Sequence, residues 1–428
     1  MKKHAPGLVV KSFHNSRKKS NDMTIKLSHN ASDRRAVANL NAVDVIISTS
    51  TFMWPSIVTK CFEFHRVVQD ESHLFIKNGA SARMEYANLI TAPLRWGVTA
   101  TPATNSANDL NKQLSFIVGT DAIFPAPNSS SEFRSAVRSF CLTPSQDTFN
   151  SLVNLLKTYM VRHTKSQRIN GNEALALPPS TTSTIMLTMS ADEDRAFNKI
   201  STKASTFSKH LGSGAQRFTA EKSFLPQMNK VLDSPEVRGD LSELVTASRR
   251  RYIPERLTKI VALRQDLAAC RSREPQLRAV VFTQHLEVHD ACVRGLQRDG
   301  FDVYQFSGSS SASKRDEAIR SFQNTTNGRP AVFVITLRSG NVGITLTAAS
   351  RVYLLEPSID PSVEVQAAGR IHRLGQDKPC HVVKFVFRNS YEANTLVLHE
   401  HIRTGKITLV DGYVPSEGMK ILARGIRF

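Results

Sequence analysis

Cysteine is scarce in this sequence, and long apolar runs are absent from it. The five cysteines stand singly, with no Cys-x-x-Cys pair among them: Cys61, Cys141, Cys270, Cys292 and Cys380. This spacing argues against zinc ribbons, RING fingers and a disulfide framework, and it favours a reducing compartment. No stretch approaches the roughly 18 apolar residues of a membrane span, and no apolar signal-peptide core follows the lysine-rich opening. We therefore expect a soluble intracellular protein without a zinc module or a membrane segment.

Acidic residues are few relative to basic ones. The chain holds 56 Lys and Arg against 37 Asp and Glu, which gives a formal charge of +19. Such a balance favours a polyanionic partner, nucleic acid above all, although a solvated basic surface explains the charge equally well. The run Arg17-Lys18-Lys19 is compatible with nuclear import, but short basic runs are usually only solvated.

The sequence also lacks the phosphate loop with which many motors hold a triphosphate. No Gly-x-x-x-x-Gly-Lys-[Ser/Thr] occurs in the chain. An acidic pair that is suited to handle magnesium and water is nevertheless present at Asp70-Glu71, directly after the run 65–69. We expect both carboxylates at the carboxyl end of a parallel strand, where open α/β sheets place their ligands. Taken alone, however, such a pair is more often a solvated turn.

The chemistry that this position allows is specific. Asp70 is suited to hold Mg²⁺, directly or through water, and Glu71 to orient or deprotonate an attacking water. Thr99 and Thr101 follow the next predicted strand, and hydroxyls there are placed to hydrogen-bond the acidic motif. A plain strand-to-turn threonine cluster is the alternative interpretation.

Two arginines supply the positive charge that phosphoryl transfer requires. The pattern over 363–374 predicts a helix, with Arg370 and Arg373 on one face and Gln366 one turn earlier. Fixed guanidiniums bind phosphate oxygens bidentately. A charged, solvent-facing helix is the competing interpretation.

A run of small residues over 338–343 follows a predicted strand. It includes Arg338, Ser339 and Gly343, and it can bring backbone N–H groups close to an anion. Because it lacks the spacing and the lysine of a phosphate loop, it suits nucleic-acid backbone contact or coupling between lobes better than triphosphate binding.

The alternation of short β-rich runs with helical patterns predicts an α/β fold with parallel sheets. The later predicted strands are 279–282, 303–306, 331–335, 352–355 and 382–387, with helices at 286–299 and 313–323. The first third repeats the pattern in shortened form, with strands 45–47, 66–68 and 96–98. We expect four regions: an incomplete first lobe (1–120), helical insertions and a linker (121–255), a second lobe (256–405) and a tail (406–428).

In combination and in this order, the motifs resemble the Swi/Snf-type branch of the superfamily 2 helicase-like ATPases. The segments that carry the resemblance are 44–49, 70–73, 95–102, 159–165 with 177–179, 281–284, 306–308, 339–346 and 370–376. The ending Leu374-Gly375-Gln376 distinguishes this branch from RNA helicases, which end the same motif in Gly-Arg-Ala-Gly-Arg.

The resemblance implies two RecA-like lobes that hydrolyse ATP with Mg²⁺ at their interface and move on double-stranded DNA. It further implies work in chromatin remodelling or DNA repair, a nuclear location and nucleosomes as partners. The implied catalytic residues are Asp70 (also the Mg²⁺ ligand), Glu71, Arg370 and Arg373. The implied nucleotide contacts are Thr99, Thr101, Gly343 and Gln366. The implied DNA contacts are Thr49, Ser307, Gly308, Arg338 and Ser339.

Residues 3–10 resemble the family segment just after the second conserved block of lobe one, so the phosphate loop is expected upstream of residue 1. The chain departs from the family pattern at Ala103-Thr104, at Gly340-Asn341 and at 357–361, which lacks the usual tryptophans. These departures bear on catalytic competence. The competing hypothesis is a degenerate DNA-binding or scaffold protein that keeps a basic cleft without turnover.

Overall fold

Two units make up the chain, residues 1–162 and 163–428, and each is described by itself. The computed structural model describes residues 5–13, 42–49, 62–75, 88–100, 102, 108–118, 129–143, 145–164, 167–194, 257–306, 310–324, 328–340, 343–407 and 416–422. No helix in these ranges is long and apolar enough to cross a membrane.

Short parallel strands form the sheet portion of the first unit. They are β1 (Val10–Phe13), β2 (Val45–Ser48), β3 (Arg66–Asp70) and β4 (Leu94–Val98). Strand β1 pairs with β2 and β3 pairs with β4, both in parallel. The strands predicted at 45–47, 66–68 and 96–98 are confirmed. The sequence does not predict β1, because Lys11 and Ser12 interrupt its apolar residues.

Three helices complete the described part of this unit. They are α1 (Asn108–Val118), α2 (Ser129–Leu142) and α3 (Gln146–Tyr159). Helix α3 begins with a capping box, in which Ser145 and Thr148 satisfy each other's backbone N–H groups. Leu114, Val137 and Leu152 form the apolar core between the three helices.

Among the described residues of the first unit, helix α1 covers one face of the β3–β4 pair. On the α1 side, the guanidinium of Arg95 lies 5.4 Å from the ring centre of Phe116. On the other side, Val68 and Trp96 lie opposite each other and are 53% and 51% exposed. Parallel sheets are normally buried on both faces, so this apolar face differs from the usual arrangement.

The second unit is built on a six-stranded sheet in which every pairing is parallel, in the order β7-β12-β11-β8-β10-β9. The strands are β7 (Ser180–Leu187), β8 (Arg278–Thr283), β9 (Asp302–Phe306), β10 (Ala331–Thr336), β11 (Arg351–Leu354) and β12 (Cys380–Phe387). A short antiparallel hairpin, β5 (Arg168–Ile169) with β6 (Asn172–Glu173), precedes β7. The predicted α/β class is confirmed, as are all five strands predicted after residue 278.

The sequence does not predict strand β7, because residues 121–255 are expected to be mostly helices and loops. Its sequence, Ser-Thr-Thr-Ser-Thr-Ile-Met-Leu, begins with five polar residues and therefore resembles a loop. Among the described strands it lies at the edge of the sheet and pairs with β12 alone, and its first half is exposed, so polar side chains are tolerated there. The boundaries of the four predicted regions otherwise stay predictions.

Helices cover both faces of this sheet. They are α4 (Thr258–Arg273), α5 (Leu286–Arg298), α6 (Ala312–Asn324), α7 (Leu337–Gly340), α8 (Pro361–Ala368), α9 (Tyr391–Arg403) and α10 (Ser416–Leu422). Residues of α4 and α5 join one apolar cluster, and residues of α6 and α8 join the cluster on the opposite face. The sheet is therefore buried on both sides, which explains its continuous apolar strands.

A buried ion pair joins α4 to α9. Lys259 Nζ lies 2.6 Å from Glu392 Oε1 and also donates to the carbonyl of Leu355. Glu392 in turn accepts a hydrogen bond from the backbone N–H of Phe387 at 2.9 Å. Burial raises the pKa of Glu392, and the Lys259 ammonium opposes that rise. Because both charges are withdrawn from water, each depends on the other for compensation.

Replacing Lys259 tests this dependence. We expect Lys259→Met to lower the free energy of unfolding of the second unit by about 3–5 kcal/mol, because the Glu392 carboxylate then stays buried without its cation. Lys378→Met is the matched control. Lys378 pairs with Glu274 at the surface, so its replacement should lower the free energy of unfolding by less than about 1 kcal/mol. Urea unfolding followed by circular dichroism measures both. Equal losses in the two variants would contradict the account.

Candidate functional site

The acidic pair lies at the carboxyl end of β3, as the sequence predicts. Asp70 is exposed and pairs in register with Val98, and its Oδ1 accepts a hydrogen bond from the N–H of Glu71 at 3.0 Å. Glu71 has a φ of 51°, a left-handed conformation that non-glycine residues rarely adopt. Such conformations cluster at functional sites. A 3₁₀ turn, Ser72–Phe75, follows directly.

His73 connects the acidic pair to the end of β4. Its Nδ1 lies 2.7 Å from Thr99 Oγ1 and 3.4 Å from Glu71 Oε2. His73 is buried, so the ring holds a fixed position between the hydroxyl and the carboxylate. Thr99 therefore contacts the acidic motif, as its place after the strand predicts. Thr101 lies outside the described residues.

A second connection, which the sequence does not predict, runs through α1. Ser72 Oγ donates to Gln113 Oε1 at 2.7 Å, and Gln113 Nε2 donates to the carbonyl of Pro102. Ser72 and Gln113 are 1% and 8% exposed. A Cβ at Gly97 would lie 3.2 Å from Ser72 Oγ, so glycine leaves the space that this pair needs. The turns after β3 and β4 are thus held by one helix. The one sequence signal that could have revealed this connection is a glutamine on the otherwise apolar face of α1.

The acidic pair fits a hydrated magnesium ion. Asp70 presents an exposed carboxylate, and Glu71 Oε2 has no hydrogen-bond partner among the described residues. Both amide atoms of the preceding Gln69 are likewise buried without a partner in the described part of the chain. No group of three or more metal-ligating side chains occurs within that part. Mg²⁺ keeps several of its waters, so one or two carboxylates with phosphate oxygens are a suitable protein contribution.

The arginine turn, residues 369–376, corrects the predicted helix over 363–374. Helix α8 ends at Ala368, and successive turns follow. The prediction that Arg370 and Arg373 share one helix face is therefore wrong, because Arg370 is 8% exposed whereas Arg373 is exposed. Glycine at 369 favours the helix end, and the full burial of Ile371 draws the following chain into the core.

The buried side chain of Gln376 holds this turn. Its Nε2, which has two hydrogens to donate, lies within hydrogen-bond distance of three carbonyl oxygens, at 3.2, 2.8 and 3.0 Å: those of Thr347, Ala349 and Ile371. Its Oε1 accepts from two backbone N–H groups, those of Asp377 and Lys378. The amide thus joins the arginine turn to the preceding loop. The sequence marks Gln376 as part of a family-like motif but does not indicate this structural role.

The residues just after the small-residue segment, 344–346, lie beside the arginine turn within the second unit. The N–H of Leu346 donates to the carbonyl of Arg370 at 2.9 Å, and Arg373 Nη1 lies 3.4 Å from the carbonyl oxygen of Ile344. Gly343 is exposed, with no atom within 4 Å of a Cβ built there. This places Gly343 close in sequence to the residues that support both arginines.

The remaining predicted residues differ in their surroundings. Ser339 is buried, and its Oγ accepts a hydrogen bond from Thr336 Oγ1 at 2.9 Å, so in this structure it faces protein. Thr49 is exposed at the end of β2, and Gln366 is half-buried on α8. Three predicted positions lie outside the described residues: Ser307, Gly308 and the side chain of Arg338. Their DNA contacts stay predictions.

Matches to known protein families establish the family of this chain. Residues 1–236, more than half of the chain, match the SNF2-related domain, and residues 258–375 match the helicase conserved C-terminal domain. The chain belongs to the SNF2-related family. The Swi/Snf resemblance drawn from the sequence motifs is thereby confirmed.

Several curated proteins are similar to this member of the SNF2-related family. A putative SWI/SNF-related matrix-associated actin-dependent regulator of chromatin subfamily A member 3-like 1 from Arabidopsis thaliana is 23% identical over 88% of this chain and 53% of its own length. The Homo sapiens helicase-like transcription factor is 24% identical over 86% of this chain and 46% of its own length. DNA repair protein RAD5 from Candida albicans is 36% identical over 35% of this chain and 14% of its own length. The chain spans about half the length of the first two.

Among solved structures, the Sulfolobus solfataricus SWI2/SNF2 ATPase core in complex with dsDNA aligns with 19% identity. The alignment covers 100% of this chain and 80% of that one, with a TM-score of 0.40. A TM-score at this level does not establish a relationship, so the family assignment depends on the sequence matches.

The buried Ser72–Gln113 pair can be tested by a double-mutant cycle. We expect Ser72→Ala to cost about 1–3 kcal/mol of first-unit stability, because Gln113 Oε1 is left buried without a donor. Adding Gln113→Leu should recover the part of the loss that comes from the unsatisfied Oε1, although the bond from Gln113 Nε2 to the carbonyl of Pro102 is then also lost. Thermal unfolding of both single variants and the double variant measures this. Simple addition of the two single losses would contradict the account.

Proposed function

We propose that this chain is the motor core of a DNA-dependent ATPase of the Swi/Snf type, which moves on double-stranded DNA in chromatin remodelling or DNA repair. The observation that carries the proposal is the acidic pair at the end of β3, tied through His73 to Thr99. Membership of the SNF2-related family supports ATP, Mg²⁺ and duplex DNA as ligands. A nuclear location and nucleosomes as partners follow as further parts of the proposal.

The acidic pair performs the water chemistry in this proposal. Asp70 holds Mg²⁺ directly or through water, since its carboxylate is exposed. Glu71, directly after Asp70 at the same strand end, orients or deprotonates the attacking water. His73 keeps the Glu71 carboxylate in place from 3.4 Å away. A bound magnesium ion supplies neutralisation of charge on the phosphate oxygens.

The arginine turn supplies positive charge to the transferred phosphoryl group. Arg373 is proposed to contact it directly because its side chain is exposed, whereas Arg370 is nearly buried and supports it. Nucleotide contacts are proposed for Thr99, Thr101, Gly343 and Gln366. Duplex contacts are proposed for Thr49, Ser307, Gly308, Arg338 and Ser339, in keeping with the charge of +19.

A second candidate function is DNA binding without turnover. It is favoured by the absence of a Gly-x-x-x-x-Gly-Lys-[Ser/Thr] motif from this sequence. The loop's lysine and backbone N–H groups cradle the phosphates, so a chain without them loses most ground-state binding of ATP. We therefore also propose that hydrolysis by this chain is impaired.

DNA-stimulated ATP hydrolysis separates the two candidates. It is measured for this chain and for the same chain extended with the phosphate-loop segment of a relative, each beside Asp70→Asn. We expect weak turnover by the chain itself, clear turnover by the extended chain, and a loss on the order of 100-fold or more with Asp70→Asn, since the metal ligand is gone.

The control is duplex affinity at low and moderate salt, which should fall steeply with salt in every variant. Equal turnover by the extended chain and its Asp70→Asn variant would remove the catalytic assignment. An extended chain that binds duplex in a salt-dependent way but never hydrolyses ATP would establish the second candidate.

A further inference from the structure

The residue between the two arginines contacts the segment that enters the second unit. His372 Nε2 lies 2.8 Å from the carbonyl oxygen of Pro178, although the two residues are 194 positions apart. A carbonyl oxygen can only accept, so Nε2 carries the hydrogen and donates it. Pro178 belongs to the incoming segment, residues 174–179, which leads from the β5–β6 hairpin into β7.

Two consecutive prolines prepare the incoming segment for this contact. A residue that precedes proline is restricted to extended backbone, and Pro179 therefore restricts Pro178, whose own ring already fixes φ. The carbonyl of Pro179 accepts from the N–H of Cys380 at 2.8 Å, where β12 begins. The restricted backbone of the two prolines and the bond from the Cys380 N–H to the Pro179 carbonyl thus together set the orientation of the Pro178 carbonyl.

Other contacts also hold the arginine turn, and the full burial of Ile371 is one of them. Regular helical bonding ends at Ala368, and the turn is held to the loop before it by Gln376 and by the bond from the Leu346 N–H to the Arg370 carbonyl. Those contacts lie mainly at the two ends of the turn, and Gln376 also bonds to the carbonyl of Ile371 in its middle. His372 lies between Arg370 and Arg373, and it attaches the middle of the turn to the incoming segment.

We propose that His372 is a positioning residue, which couples the arrangement of Arg370 and Arg373 to the incoming segment. A displacement of residues 174–179 is transmitted through the Nε2–H···O=C bond to the arginine turn. That the coupling regulates phosphoryl transfer rests on the proposed function. The coupling itself is a property of the second unit and needs neither ATP nor DNA.

Hydrogen–deuterium exchange of this chain tests the coupling from both ends. We expect His372→Ala to speed exchange in peptides covering 369–376 about threefold to tenfold, which is the effect of losing one hydrogen bond. Strands β8 and β10 should keep their protection. His372→Gln should restore most of the protection, because its amide can donate to the same carbonyl. Loosening the partner with Pro178→Gly and Pro179→Ala together should speed exchange in 369–376 without any change to the turn's own sequence.

His381→Ala is the matched control. His381 Nδ1 lies 2.8 Å from Thr181 Oγ1, so its loss removes a histidine contact between β12 and β7 that does not involve the arginine turn. It should leave exchange in 369–376 unchanged. The inference is overturned if His372→Ala or the proline variant leaves 369–376 unchanged, or if β8 and β10 lose protection equally. Failure of the phosphate-loop-extended chain to hydrolyse ATP counts against the proposed function alone.

Discussion

Parallel pairing of strands is the constraint on which the rest of each unit depends. Strands that pair in parallel bring their carboxyl ends to one edge of the sheet, which is where ligands bind in such folds. The register of Asp70 with Val98 therefore places the acidic motif beside Thr99. In the second unit the same rule brings the end of β8 to the end of β11, where Glu356 accepts a hydrogen bond from the N–H of Gln284 at 2.9 Å. Residues with chemical function meet because the backbone fixes where the strands end.

Buried polar side chains then give the turns at these edges their conformation. A polar group withdrawn from water costs free energy unless it is hydrogen-bonded, so a fully bonded amide strongly favours one local arrangement. Gln113 does this for the turns after β3 and β4, and Gln376 does it for the arginine turn. The Lys259–Glu392 pair anchors α4, a helix of the second unit, in the same way. Each of these side chains connects segments that are distant in sequence.

The sequence predicts the part of the structure that depends on local pattern. The strand Ala331–Thr336 is buried at every position, and a continuous apolar run of that kind is recognisable. The edge strand Ser180–Leu187 is missed because its exposed half is polar. The helix over 363–374 is predicted too long, because periodicity does not register the helix end at Gly369. The roles of Gln113 and Gln376 depend on partners far along the chain, and no local pattern reveals those.

The proposed function assigns the acidic pair and the arginine turn to one chemical step. A double-mutant cycle of Asp70→Asn and Arg373→Lys tests it most directly, with single-turnover ATP hydrolysis by the phosphate-loop-extended chain on duplex DNA as the measurement. Groups that act together on one transition state show strongly non-additive losses. The account predicts that the double variant is about as slow as the slower single variant. Losses that multiply would contradict it.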